Sequence, residues 1–264
     1  RWSEGRRRSV LSIVLEDEDR RSIQAILRGA AQGAAAEVRL SGVVPTADLS
    51  ERALRVLASQ PTVTDVVRTL VLWGHPLGPP LIGAVTGTHP SLFGVEVALE
   101  RAFASRALST ARRGGRHLME YTRQVIDVMN TWSALLHFVE RDPAIVEIAF
   151  IEGGRWVTKD EFRRLLSSDS RADLEHELAR AFRQSPIASA FARETGPLTS
   201  LETEVLRAQI QWQNRVALTD PGSAAPLIGF ALELRAELLN LRRIIWGVSL
   251  RAPAALVEAE MVAV

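Results

Sequence analysis

Cysteine is absent from all 264 residues. That excludes thiol nucleophiles, disulfides, iron–sulfur clusters and every cysteine-based zinc site, and it leaves the compartment open. Lysine is nearly absent, because Lys159, in Val-Thr-Lys-Asp, is the one lysine among 32 basic residues. A phosphate-cradling loop ending Gly-Lys-Ser/Thr therefore cannot be built, and a Schiff-base enzyme would be confined to this position. Kinases and nucleotide-driven motors of the usual kinds are excluded with it. No excess of one charge exists either: 32 basic residues against 31 acidic give a formal charge of +1, too little to draw the chain to nucleic acid. Long apolar runs are missing. The most apolar stretch, 79–99, is interrupted by Pro80, Thr86, Thr88, His89, Pro90 and Glu96, whereas a membrane-spanning helix needs about 20 mostly apolar residues. Residues 1–8 lead into no apolar run with a small-residue cleavage site, so no secretory signal is read there.

What is present is helical period. Leu118, Tyr121, Val125, Val128, Trp132, Leu135 and Val139 recur at spacings of three and four, and so do Leu227, Ala231, Leu234, Leu238, Leu241, Ile245 and Val248. Such spacing draws one apolar stripe along an α-helix of about 20 residues and predicts a face turned to the core. Shorter helices are announced by their caps. Thr158 with Glu161 and Thr199 with Glu202 form capping-box patterns, Ser50 precedes Glu-Arg-Ala-Leu-Arg-Val-Leu, and Asp169 or Ser170 precedes the run to Phe182. Apolar/polar alternation never persists, so the fold class is all-α, a multi-helix bundle in one domain over 1–264. Loops are predicted at 74–80, 87–90, 113–116, 153–155, 196–199 and 220–225.

Catalytic chemistry finds little to stand on. The five histidines, His75, His89, His117, His137 and His176, form no His-Glu-x-x-His pair and read as scattered surface or loop residues, with His137 partly buried beside the stripe. Neither a metal nor a cofactor is called for. The run from Glu16 to Asp19 beside Arg20 and Arg21 reads as a solvated helix start. A Gly-x-Ser-x-Gly elbow and a Rossmann Gly-x-Gly-x-x-Gly are both absent. Arginine runs at 6–8, 20–21, 112–113, 163–164 and 242–243 mostly have acidic neighbours and 112–116 alone forms a compact patch, which favours solvated faces or interface ion pairs over nucleic-acid binding. Of six tryptophans, Trp132 reads as core. Trp73 and Trp156 sit by predicted loops and are the candidate partner-interface residues, since tryptophan is enriched at interface hot spots.

A weak internal repeat emerges at an offset of about 108 residues. Asp19-Arg-Arg-Ser22-Ile23-Gln-Ala-Ile26-Leu27 aligns with Asp127-Val-Met-Asn130-Thr131-Trp-Ser-Ala134-Leu135, and both align with Glu237-Leu-Leu-Asn240-Leu241-Arg-Arg-Ile244-Ile245. Asp48-Leu49-Ser50 opens a helix as Trp156-Val157-Thr158 does. These units run roughly over 19–126, 127–236 and, in part, 237–264.

With Glu237-Leu-Leu-Asn240-Leu241-Arg242, Phe150-Ile151-Glu152-Gly153-Gly154-Arg155, Val44-Pro45-Thr46-Ala47-Asp48-Leu49-Ser50 and His75-Pro76-Leu77-Gly78-Pro79 in that family's order, the sequence resembles the C or d subunit of V/A-type rotary ATPases. The first two repeat copies depart from the family's full Asn-Leu-Arg, and helices that the family places before residue 1 have no counterpart here. The resemblance implies a pseudo-threefold, funnel-like bundle with no active site. It implies a seat on the cytoplasmic face of the membrane, between the central stalk and the proteolipid ring, with no small-molecule substrate. The alternative is an α-helical scaffold or adaptor with an unrelated protein partner.

Overall fold

A computed structural model describes residues 4–86, 91–138, 147–192 and 198–262. Helices α1 (Glu4–Ala31), α2 (Ala36–Leu40), α3 (Glu51–Ala58) and α4 (Val63–Leu72) lead into a short 3₁₀ segment, Pro79–Val85. Then come α5 (Leu92–Gly114), α6 (Arg116–His137), α7 (Lys159–Leu166) and α8 (Arg171–Phe182). After a 3₁₀ turn at Ala188–Phe191 the chain ends in α9 (Leu198–Thr219), α10 (Ala225–Ser249) and α11 (Ala254–Glu260). No strand occurs among the described residues, and the fold is all-α.

The helix starts follow from local chemistry. Ser50 accepts from the N–H of Ala53, Thr158 from Glu161 and Ser170 from Asp173. Thr62 and Ser91 cap α4 and α5 in the same way, on Asp65 and Gly94. Each such side-chain oxygen satisfies one of the N–H groups that a helix leaves free at its first turn. Thr199 lies within α9, its side chain outside the described residues, as are 87–90 and 196–197. The loop expected at 113–116 shrinks to one residue. Gly115, at φ 99°, turns the chain between α5 and α6, a conformation that a side chain would strain.

Three long pairs carry the bundle: α1 packs on α5, α5 on α6, and α9 on α10. The larger core cluster joins α1, α3, α4, α5, the first half of α6 and parts of α9 and α10, through residues such as Ile23, Leu27, Leu54, Val66, Phe103 and Ile228. A second gathers the end of α6, α7, α8 and the start of α9 around Phe162, Phe182 and Phe191, with Trp132 packed against it, and a small third joins Val97, Ala104, Ile126 and Ile151.

Between α1, α5, α6, α9 and α10 lies a cavity of about 260 Å³, lined by both charges and apolar groups. Its position corrects the expectation of a solvated start at Glu16–Arg21: Asp17, Asp19 and Arg20 are buried. Arg20 donates to Asp17 through Nε at 2.9 Å and Nη2 at 2.8 Å, and Arg21 Nε reaches the other oxygen at 3.0 Å. Burial would raise the Asp17 carboxyl, but Arg21, Arg20 and Arg235 outweigh it and hold the group well below the usual carboxylate range. The i, i+3 and i, i+4 spacing that marks an exposed ion-paired face serves here inside the bundle.

Candidate partner-binding site

The aligned positions of the repeat share one hydrogen-bond pattern. Ser22 Oγ accepts from Val44 N–H at 3.1 Å and donates to its carbonyl at 3.4 Å. Asn130 Oδ1 accepts from Ile151 N–H at 2.9 Å while Nδ2 donates to Ile151 O at 2.8 Å. Asn240 does the same to Val262, at 2.8 and 2.9 Å. In each copy a polar side chain on a long helix clamps the main chain of a residue 21 or 22 positions further on.

The acids three residues earlier are used differently. Asp127 is fully buried and accepts from the N–H groups of Arg155, Trp156 and Val157 at 2.9–3.0 Å. Burial pushes its carboxyl up to about 6 against the pull of those N–H groups. The expected loop at 153–155 is thereby fixed, with Gly153 at φ 111° and no room for a Cβ at Gly154 beside Asp127. Asp19, also buried, accepts from Thr46 Oγ1 at 2.5 Å and lies 3.6 Å from His75 Nε2. His75, expected on the surface or in a loop, lies in the loop after α4 but is an interior residue, its Nδ1 taken by the N–H of Leu77. Glu237, the third acid, is exposed.

Exposure of Glu237 is part of a larger departure. The stripe on α10 was expected to face the core, but Leu234, Leu238, Leu241, Ile245 and Val248 are all exposed, the last two by 64% and 74%. The buried side of α10 is instead Ile228, Gly229, Leu232, Ala236 and Gly247. Phe230, Ile244, Trp246, Leu250 and, on α11, Leu256 extend the apolar surface. The aligned residues make the contrast sharp. Leu241, Ile244 and Ile245 occupy the places of Ile23, Ile26 and Leu27 in α1, which are fully buried, and of Thr131, Ala134 and Leu135 in α6, of which the first two are buried and the third half-buried. In α1 that face lies under α2, α3 and α4, and in α6 under α7. Along α10, whose other side packs on α9 and α1, the described residues bring up the short α11. An exposed apolar patch of this extent marks an interaction surface.

The two sequence-predicted interface residues are not brought together. Trp73, at the C-terminal end of α4, is 45% exposed, in a helix whose buried face belongs to the larger cluster. Trp156 is half-buried against the second cluster, with the Arg155 guanidinium stacked 5.0 Å from its ring centroid. The α10 face was missed as a site because its 4-3-4-3 spacing is the signature of a core stripe. Among the described residues no group of three or more His, Asp or Glu is placed to hold a metal ion, and no helix is long and apolar enough to cross a membrane.

No match was found among curated proteins. The family model described as ATP synthase (C/AC39) subunit matches residues 1–260, and the chain belongs to that family.

Proposed function

We infer that this chain is the non-catalytic rotor subunit that couples the central stalk of a V/A-type ATPase or synthase to its membrane proteolipid ring, seated on the cytoplasmic face. Membership of the ATP synthase (C/AC39) subunit family supports the machine. The observation that carries the coupling role is the apolar face of α10, left uncovered where the chain's own α1 and α6 are covered, as befits a part of a larger assembly. Torque transfer asks for a stiff body with complementary interfaces rather than for groups converging on a reacting atom. Long helices packed in pairs and tied by ion pairs such as that of Arg20 on α1 with Glu100 on α5 supply stiffness. The recurrent clamp of Ser22, Asn130 and Asn240 supports a body built of pseudo-threefold repeats arranged as a funnel. Purification of the tagged chain from its host in mild detergent, followed by mass spectrometry, tests the role. Recovery of stalk subunits and proteolipid with the nucleotide-binding subunits is the expected result. A chain recovered free of them, from membranes that contain the complex, contradicts it.

A further inference from the structure

Four buried side-chain polar atoms have no hydrogen-bond partner among the described residues: His75 Nε2, Gln124 Nε2, Ser185 Oγ and Gln213 Nε2. A buried donor left unpaired is costly, so native folds rarely keep several without a use for them. One of the four, Gln124 Nε2, belongs to a residue that lines a cavity. The cavity, of about 300 Å³, opens between α6, α9, the loop after Gly154 and the turn after α8. Gln184, Pro186 and Trp212 complete the lining with Glu120, Arg155 and Trp156.

The hydrogen bonds around the cavity fix which kind of group is wanted. Gln124 spends its oxygen on Gln209 Nε2 at 3.2 Å, and Gln213 spends its oxygen on His117 Nε2 at 2.8 Å. Both amides therefore have their acceptor engaged and their N–H₂ spare. Gln124 is only 2% exposed, so bulk water does not serve it. Arg155 lines the cavity too, exposed and in no ion pair among the described residues, its guanidinium held over Trp156. At the cavity the unmet capacity is thus a donor, the Gln124 amide, with the full positive charge of Arg155 in the same lining. Glu120, the acid on the wall, accepts from Arg116 Nε at 3.0 Å, which offsets its charge. Trp156 and Trp212 add indole surface to the lining, apolar contact for the body of a small ligand.

We propose that this cavity is a binding site for a small carboxylate with an apolar body, its oxygens taken by the Gln124 amide and the Arg155 guanidinium and its body in contact with Trp156 and Trp212. A carboxylate offers acceptors only, which is what a spare amide N–H₂ and a guanidinium require. The site is independent of the rotor reading, and neither depends on the other's success.

Benzoate is the probe, titrated against the purified chain while tryptophan emission is followed. The expected result is a saturable change with half-saturation of about 1 mM, the range open to so few atoms. Neutral benzamide binds about tenfold more weakly, and Arg155→Ala weakens benzoate by about tenfold, in keeping with a charge-assisted pair. Gln124→Leu does the same. Should that variant fail to fold, the exposed Arg155→Ala carries the test alone. A response that never saturates, equal binding of benzamide, or unchanged benzoate binding by Arg155→Ala overturns the proposal. A crystal structure grown in benzoate with ordered water alone in the cavity overturns it equally.

Discussion

Asn130 holds both polar groups of the Ile151 main chain, and all of these atoms are buried. Replacing it with alanine strands an N–H and a carbonyl inside the protein. Asn130→Ala is therefore expected to cost about 2–4 kcal/mol, read as a drop in the urea midpoint with an unchanged slope. Gly153 adds a backbone constraint: at φ 111°, with Leu108 where a Cβ would go, Gly153→Ala is expected to cost about 1–3 kcal/mol by the same measurement. The buried acids give a signature in pH. Asp127 has its folded value raised to about 6, above the ordinary carboxylate value of about 4. The folded state thus binds the extra proton, and the group's contribution to stability is full below pH about 4 and lost as pH rises through about 6. Asp17 is depressed, so its contribution is present above about 4 and lost as pH falls further. Asp127→Asn should remove the component between pH 4 and 6 from the stability profile and leave the acid limb intact. A profile unchanged by the variant would refute that assignment.

At the scale of the element, the sequence told which segments are helical far better than which way they face. Ser50, Thr158 and Ser170 cap their helices as their spacing predicts, because a cap is a local hydrogen bond between neighbours in sequence. The turn at 153–155 was legible in its two glycines, although not the buried Asp127 that fixes it. The stripe from Leu234 to Val248 was legible as a stripe, but periodicity measures the alignment of apolar side chains, and the cover is a tertiary fact. Asp17 and Arg20 misled for the same reason, since a pair spaced for a solvated face is equally spaced for an internal one. Mutation separates the two kinds of stripe. Ile26→Ala in α1 should cost about 2–5 kcal/mol, as the loss of a fully buried side chain. Ile245→Ser at the aligned place on α10 should shift stability by less than about 1 kcal/mol and lower the binding of a hydrophobic dye to the isolated chain. Equal losses at both sites would show that α10 is covered after all.

For the whole molecule, helices tied across the bundle leave a long apolar face on α10 unmatched among the described residues. Arg106 reaches from α5 to Glu16 on α1 at 2.6 Å, and Arg235 from α10 to Glu202 on α9 at 3.2 Å, so the ties cross element boundaries. The family assigns the chain to an ATP synthase, and the coupling role asks that it stand in the line of torque. The most direct measurement is an electron cryomicroscopy map of the intact rotary complex from the host, with the chain located in it. The account predicts density for the chain on the rotation axis, between the foot of the central stalk and the proteolipid ring, with the α10 face buried. Density on a peripheral stalk, or α10 bare to solvent in the assembled machine, would contradict it.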